Sequence, residues 1–165
     1  MLSRVARLLV FAVLGLSAWV WPWAVLAVGQ PMRAIVSFEA QHPGYQLQGV
    51  SAVVVLFSMP ECRYCEIVRK QALRHIENDS AYRGKVKVFE VDQADTSRSL
   101  VWFDGQRVTG KMLAEKLNVR FSPTVMVFTA KGQPVGQPLL GISIPDFYSQ
   151  YLNALVDDAL FQQKQ

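Results

Sequence analysis

Cysteine and histidine are both scarce, with two of each among 165 residues. Two cysteines cannot staple a disulfide scaffold. A closed zinc site wants four ligands, and besides Cys62 and Cys65 the chain offers only His42 and His75, so no resident metal is expected. Internal repeats and low-complexity tracts are also missing, which sets aside solenoids and arrays. A clustered basic face is lacking too: the formal charge is +4, and Arg4 and Arg7 supply two of those charges. A nucleic-acid partner should show such a face, and none is expected here. The hydrophobic share of 51% argues against disorder, and the length suits one domain with its own core.

What is present begins at the N-terminus. Arg4 and Arg7 precede an apolar stretch from Leu8 to Val20, then Trp-Pro-Trp and Ala24-Val25-Leu26-Ala27. This is the pattern of a secretory signal, with small residues before a cut after Ala27. The competing reading is an uncleaved anchor, because residues 8–28 carry no formal charge and are long enough to span a bilayer, with Trp19, Trp21 and Trp23 as interfacial residues. Pro22 and the small residues after it favour cleavage. The expected organisation is a signal peptide or membrane anchor over 1–27 and a single domain over 28–165, exported to the periplasm.

Both cysteines stand in one Cys62-Arg63-Tyr64-Cys65 step, after an apolar run and before a helix-like segment. A bridge between them closes a loop so short that the chain-entropy relation gives only about 2 kcal/mol. A bond that stabilises so little fits redox chemistry better than a structural role. A thiol attacks a disulfide only as thiolate, and a helix N-terminus favours that form. Cys62 is therefore the expected exposed nucleophile, and Cys65, one turn further in, the resolving residue. Arg63 supports the Cys62 thiolate and Glu61 opposes it. A small structural bridge, or a Cu(I) site formed with Met59, is the competing reading of the pair.

Along the rest of the chain, Ala34 to Glu39 reads as extended and His42-Pro43-Gly44 as a turn. Ser51 to Phe57 is a buried strand by its β-branched, uncharged composition. A helix of about four turns should follow the cysteines, with Ile67, Val68, Leu73 and Ile76 on its apolar face; Tyr64 and Ala72 share the spacing, and Tyr64 is expected to be exposed and to contact partners. Arg69, Lys70 and Arg74 would form the solvated face, and His75 a solvated helix-end residue. Lys85 to Val91 is a second strand by alternation. Asp92 to Val108 is a polar connection, longer than compact domains usually need, with a turn at Trp102-Phe103-Asp104-Gly105. Thr109 to Asn118 reads as a short helix with Met112, Leu113, Ala114 and Leu117 inward. Thr124 to Thr129 is a third strand, and Val135 to Leu140 an edge strand, because Pro138 could not donate in a sheet centre. A final helix starts near Pro145 with Phe147, Tyr148, Tyr151, Leu152, Leu155, Val156, Ala159 and Leu160 as its apolar stripe.

With Val53-Val-Val-Leu-Phe-Ser-Met-Pro-Glu-Cys62-Arg-Tyr-Cys65 as active-site strand and turn, the chain resembles a thioredoxin-fold protein. Val119-Arg-Phe-Ser-Pro123-Thr-Val-Met-Val-Phe128 matches the segment in which that family has a cis proline beside the cysteine pair, and Lys131-Gly132 and Gly141 extend the match. The resemblance implies an α/β thioredoxin-like fold, a central mixed β-sheet flanked by helices. It also implies a cis Pro123 that presents the backbone of Ser122 to an extended substrate peptide, with Ser122, Pro123, Thr124, Arg63 and Tyr64 as substrate-binding residues. The chain departs from thioredoxin itself, which has a buried aspartate where Leu56 stands and Trp-Cys-Gly-Pro-Cys at the motif. Without that carboxylate, deprotonation of Cys65 needs another route. The insertion around Trp102 to Thr109 and the export signal are more similar to SoxW-type thioredoxins.

These features imply an exported thiol-disulfide oxidoreductase, a reductant or electron carrier for another exported protein. It would be recharged by a membrane-bound thiol-disulfide exchange partner. Its partners would be protein thiols and disulfides, with no cofactor, and it would act as a monomer. The alternatives are a disulfide oxidase or isomerase, or a non-catalytic binding or Cu(I)-handling module on the same fold.

Overall fold

The computed structural model describes residues 49–142 and 145–164. The proposed signal or anchor, the extended stretch from Ala34 and the His42 turn lie outside the described residues, so the domain boundaries stay expectations.

Strand β1 (Ala52–Ser58) is buried along its whole length. Its run of Val53, Val54 and Val55 suits a strand covered on both faces. β1 lies between β2 (Val86–Asp92), parallel to it, and β5 (Thr124–Thr129), antiparallel to it. β6 (Pro134–Leu140) pairs antiparallel with β5, giving the order β2-β1-β5-β6. Pro138 sits on this outer strand, where its missing N–H breaks no ladder bond in the sheet centre. The parallel β1–β2 pair requires a crossover, which the cysteine-bearing helical stretch provides.

That stretch is helical from Arg63 to Asn78 in three consecutive parts: α1 (Arg63–Val68), a π-helical segment (Arg69–Leu73) and α2 (Arg74–Asn78). It packs with the C-terminal helix, α4 (Pro145–Gln162), on one face of the sheet. Ala52, Val54 and Leu56 point to that side, together with Val125 and Val127 of β5. Among the described residues, no helix is long and apolar enough to cross a membrane.

Val53, Val55, Phe57, Met126 and Phe128 face the other way. They are covered by α3 (Gly110–Lys116), capped by the Thr109 hydroxyl on the Met112 N–H, and by a two-stranded hairpin. The hairpin, β3 (Ser99–Val101) and β4 (Arg107–Thr109), lies inside the polar connection. Its three-residue strands carry too few positions to show an alternation, which is why periodicity missed them. Gly110 opens α3 against the end of β2, where an added Cβ would fall 2.0 Å from the Asp92 carbonyl oxygen. Only glycine lets the two backbones meet so closely.

Three expectations about side chains are corrected. Met112 is exposed, on the outer side of α3. Phe147 and Tyr151 are exposed too, so the buried stripe of α4 narrows to Tyr148, Leu152, Val156 and Ala159. Tyr64 stands out in solvent, as expected. Arg69 is not on the solvated face, because its guanidinium is drawn to the sheet by Glu90 while also pairing with Glu66. For Arg69 sequence supplied the charge, and the tertiary neighbour Glu90 decided the exposure.

Candidate active site

β1 ends at Ser58, and the chain turns through Met59, Pro60 and Glu61 before α1 begins. Glu61 takes a left-handed backbone, φ 57°, unusual for a residue with a side chain. This turn delivers Cys62 as the N-cap of α1, where its Sγ accepts the backbone N–H of Cys65 at 3.1 Å. The helix thus directs an amide, and the positive end of its dipole, at that sulfur.

Cys65, one turn later, is 0% exposed, whereas Cys62 is half-buried. The two form a disulfide with Sγ–Sγ 2.11 Å and Cα–Cα 5.2 Å. The pair is thus unequal, with Cys62 partly open to solvent and Cys65 closed off from it.

The second wall comes from the far side of the sequence. Phe121, Ser122 and Pro123 lead into β5, and the Ser122–Pro123 peptide is cis. The Ser122 hydroxyl lies 3.3 Å from Cys65 Sγ and 3.7 Å from Cys62 Sγ. The backbone on either side is fixed: Thr124 Oγ1 donates to the Phe121 carbonyl at 2.8 Å, and the Gly141 N–H donates to the Pro123 carbonyl at 2.8 Å. Pro123 has no N–H to compete beside the sulfurs.

Of the residues singled out from sequence, Cys62, Cys65, Ser122 and Pro123 are brought together here. Arg63 and Tyr64 are exposed on the outer side of the motif. Thr124 is buried and turned to the Phe121 carbonyl, so its side chain shapes the bend and offers a partner no surface. His75 is exposed near the end of α2, 3.8 Å from Asp79 and distant from the sulfurs along the helix. Trp102 does not reach the site. It is buried edge-on against Phe103 and Phe128, with ring centroids 4.7 and 5.3 Å away, and covers the sheet face.

Sequence reasoning missed two features. Phe121 is 64% exposed beside Ser122, and with Met59 and Tyr64 it gives the loops around Cys62 an apolar surface. The reach of the Ser122 hydroxyl to both sulfurs spans 57 and 60 residues, so no local signal could have shown it.

Beneath the site, Leu56 is fully buried. Across the parallel ladder its partner is Glu90, whose carboxylate is engaged by Arg69 through Nε at 2.9 Å and through a second guanidinium nitrogen. That hydrogen bond is the main reason the Arg69 pKa lies above its ordinary value, against the opposing effect of burial. Among the described residues, no group of three or more histidine, cysteine or acidic side chains could hold a metal ion. The Cys62–Cys65 disulfide is itself the group present here that can exchange at sulfur.

A family model described as a thioredoxin-like domain matches residues 39–155. Among solved structures, the germline-specific thioredoxin protein Deadhead of Drosophila melanogaster is similar at 15% identity and TM-score 0.51, covering 77% of this chain and 98% of that one. A thioredoxin-fold protein from Helicobacter pylori is similar at 16% identity and TM-score 0.50, covering 70% and 73%. The Trxlp protein of Edwardsiella tarda shares 23% identity at TM-score 0.46, covering 66% and 88%. No curated protein matches the chain.

Proposed function

This chain belongs to the thioredoxin-like family, and from that membership we propose that it is an exported thiol-disulfide oxidoreductase that reduces disulfides in another exported protein. The observation that carries this reading is the division of the cysteine pair, Cys62 half-buried at a helix N-terminus and Cys65 fully buried one turn later. In the reduced protein, Cys62 attacks as thiolate, forming a bond to one partner sulfur and releasing the other as thiolate. Cys65 then attacks Cys62 Sγ, closes the internal disulfide and releases the second partner sulfur. Two electrons pass to the partner. A membrane-bound thiol-disulfide exchange partner returns them by the same steps in reverse.

Before Pro123, the backbone of Ser122 receives the partner's extended segment as a short added strand. Arg63 and Tyr64 meet the same partner from the exposed side of the motif. Export to the periplasm is supported by Arg4, Arg7 and the uncharged run over residues 8–28, and is tested by fractionating cells that make the full chain.

The deciding experiment is the reduction potential of the Cys62/Cys65 pair, set by equilibration with glutathione or dithiothreitol and read by trapping free thiols. A value near about −270 mV supports the reductant, whereas one near about −120 mV replaces it with a disulfide donor. A pair that does not exchange overturns both and leaves a binding or Cu(I)-handling module.

A further inference from the structure

Closing the internal disulfide demands that Cys65 lose its proton inside the protein. Burial disfavours the thiolate, so an acceptor within hydrogen-bond reach is needed. The sheet below offers none: Leu56 is apolar and buried, and the Glu90 carboxylate is taken by Arg69. The polar side-chain atom that does reach Cys65 Sγ is the Ser122 hydroxyl, at 3.3 Å, and the same oxygen stands 3.7 Å from Cys62 Sγ. In the disulfide neither sulfur carries hydrogen, so the single Ser122 proton is donated to one sulfur or the other.

We propose that the Ser122 hydroxyl is a catalytic residue of the resolving step, relaying the proton of Cys65 to solvent. This rests on the thiol-disulfide exchange proposed above. Exchange at sulfur runs in line, so the departing partner sulfur lies on the far side of Cys62 Sγ from Cys65, while Ser122, only partly buried, borders both Cys65 Sγ and solvent. Cys65 Sγ attacks Cys62 Sγ, and its electron pair becomes the new sulfur-sulfur bond. The old Cys62–partner bond breaks, and its electron pair leaves on the partner sulfur. The Cys65 proton moves to Ser122 Oγ as the hydroxyl proton moves to solvent water. The partner departs as a thiolate, Ser122 is regenerated, and no oxidant is consumed.

The position is held for this task from both sides. Thr124 Oγ1 on the Phe121 carbonyl and the Gly141 N–H on the Pro123 carbonyl fix the backbone that carries Ser122. Neither bond uses the Ser122 hydroxyl, which stays directed at the sulfurs. A serine gives a relay rather than a base, because its hydroxyl donates and accepts at once.

The test is a rapid-quench measurement, on the full chain, of the mixed disulfide formed between reduced protein and a disulfide-bonded peptide. Ser122→Ala should slow decay of that species by about 100-fold near neutral pH, the low end of what proton transfer by a placed group contributes. Its formation by Cys62 should change far less. The deficit should shrink as pH rises and solvent takes the Cys65 proton directly. Ser122→Thr, which keeps a hydroxyl, should restore the decay. Wild-type decay should be slower in heavy water while formation is not, a readout that needs no variant to fold. Equal decay in wild type and Ser122→Ala across pH, or a deficit that threonine fails to restore, overturns the relay alone. A wild-type protein that forms no mixed disulfide overturns the exchange itself.

Discussion

The two faces of the sheet are built from different materials. Under the cysteine helix the core is mostly branched and aliphatic, with Val54, Leu56, Val68, Leu73, Ile76, Val125 and Val127 in one cluster and Tyr82 and Tyr148 as its rings. On the opposite face Phe57, Trp102, Phe103 and Phe128 form a ring-rich layer, closed by the hairpin and by the tight approach at Gly110. The site's chemistry is confined to the edge of the first face, where α1 begins. The second face carries none of the site's groups and serves to seat β1 and β5 from behind. Chemistry and support are thus separated by one sheet thickness, and substitutions should separate them too.

The largest effect expected is on the first face. Cys65→Ala should reduce disulfide turnover by orders of magnitude and leave the peptide joined to Cys62, while the ring-rich layer and the unfolding transition stay close to those of the reduced wild type. The converse is Trp102→Ala. Loss of this buried ring should cost about 3–5 kcal/mol in a denaturant titration and leave the reduction potential of Cys62/Cys65 unchanged. A large shift in potential would break the division between faces. Gly110→Ala should cost less, about 1–3 kcal/mol, because the added Cβ forces β2 and α3 apart, again with the potential unaltered.

The smallest effect belongs to the link between the aliphatic face and its surroundings. Tyr82 donates to Asp157 of α4 at 3.0 Å, and its pKa is pushed up to about 12, first by burial and then by Asp157. A raised folded value means that the fold favours the protonated phenol. This stability is complete below the unfolded value of about 10 and is lost as pH climbs towards the folded one. Tyr82→Phe should be less stable than wild type by about 1 kcal/mol near neutrality, with the gap narrowing above about pH 10 in denaturant midpoints.

Much of the first face was legible in the sequence. The β-branched runs of β1 and β5 announce strands buried on both sides, and the Cys-x-x-Cys step beside Ser122-Pro123-Thr124 announces the family. The second face was less so. Its hairpin strands are shorter than a readable period, and Trp102 could be assigned to a core or to a surface until Phe128 was seen against it. The inward pull of Glu90 on Arg69 depends on a neighbour distant in the chain. Local spacing carries no information about such neighbours.

The separation of 57 residues between Cys65 and Ser122 also orders events during synthesis. The cysteines leave the ribosome early and need only a four-residue loop to meet, whose closure is entropically cheap. Their contact with Ser122 must wait until β5 has been made and laid against β1. Cys62 and Cys65 can therefore pair in a chain that is still growing, but the pair acquires its serine neighbour only with the long-range strand pairing that completes the central sheet, a step that is slow compared with local helix formation.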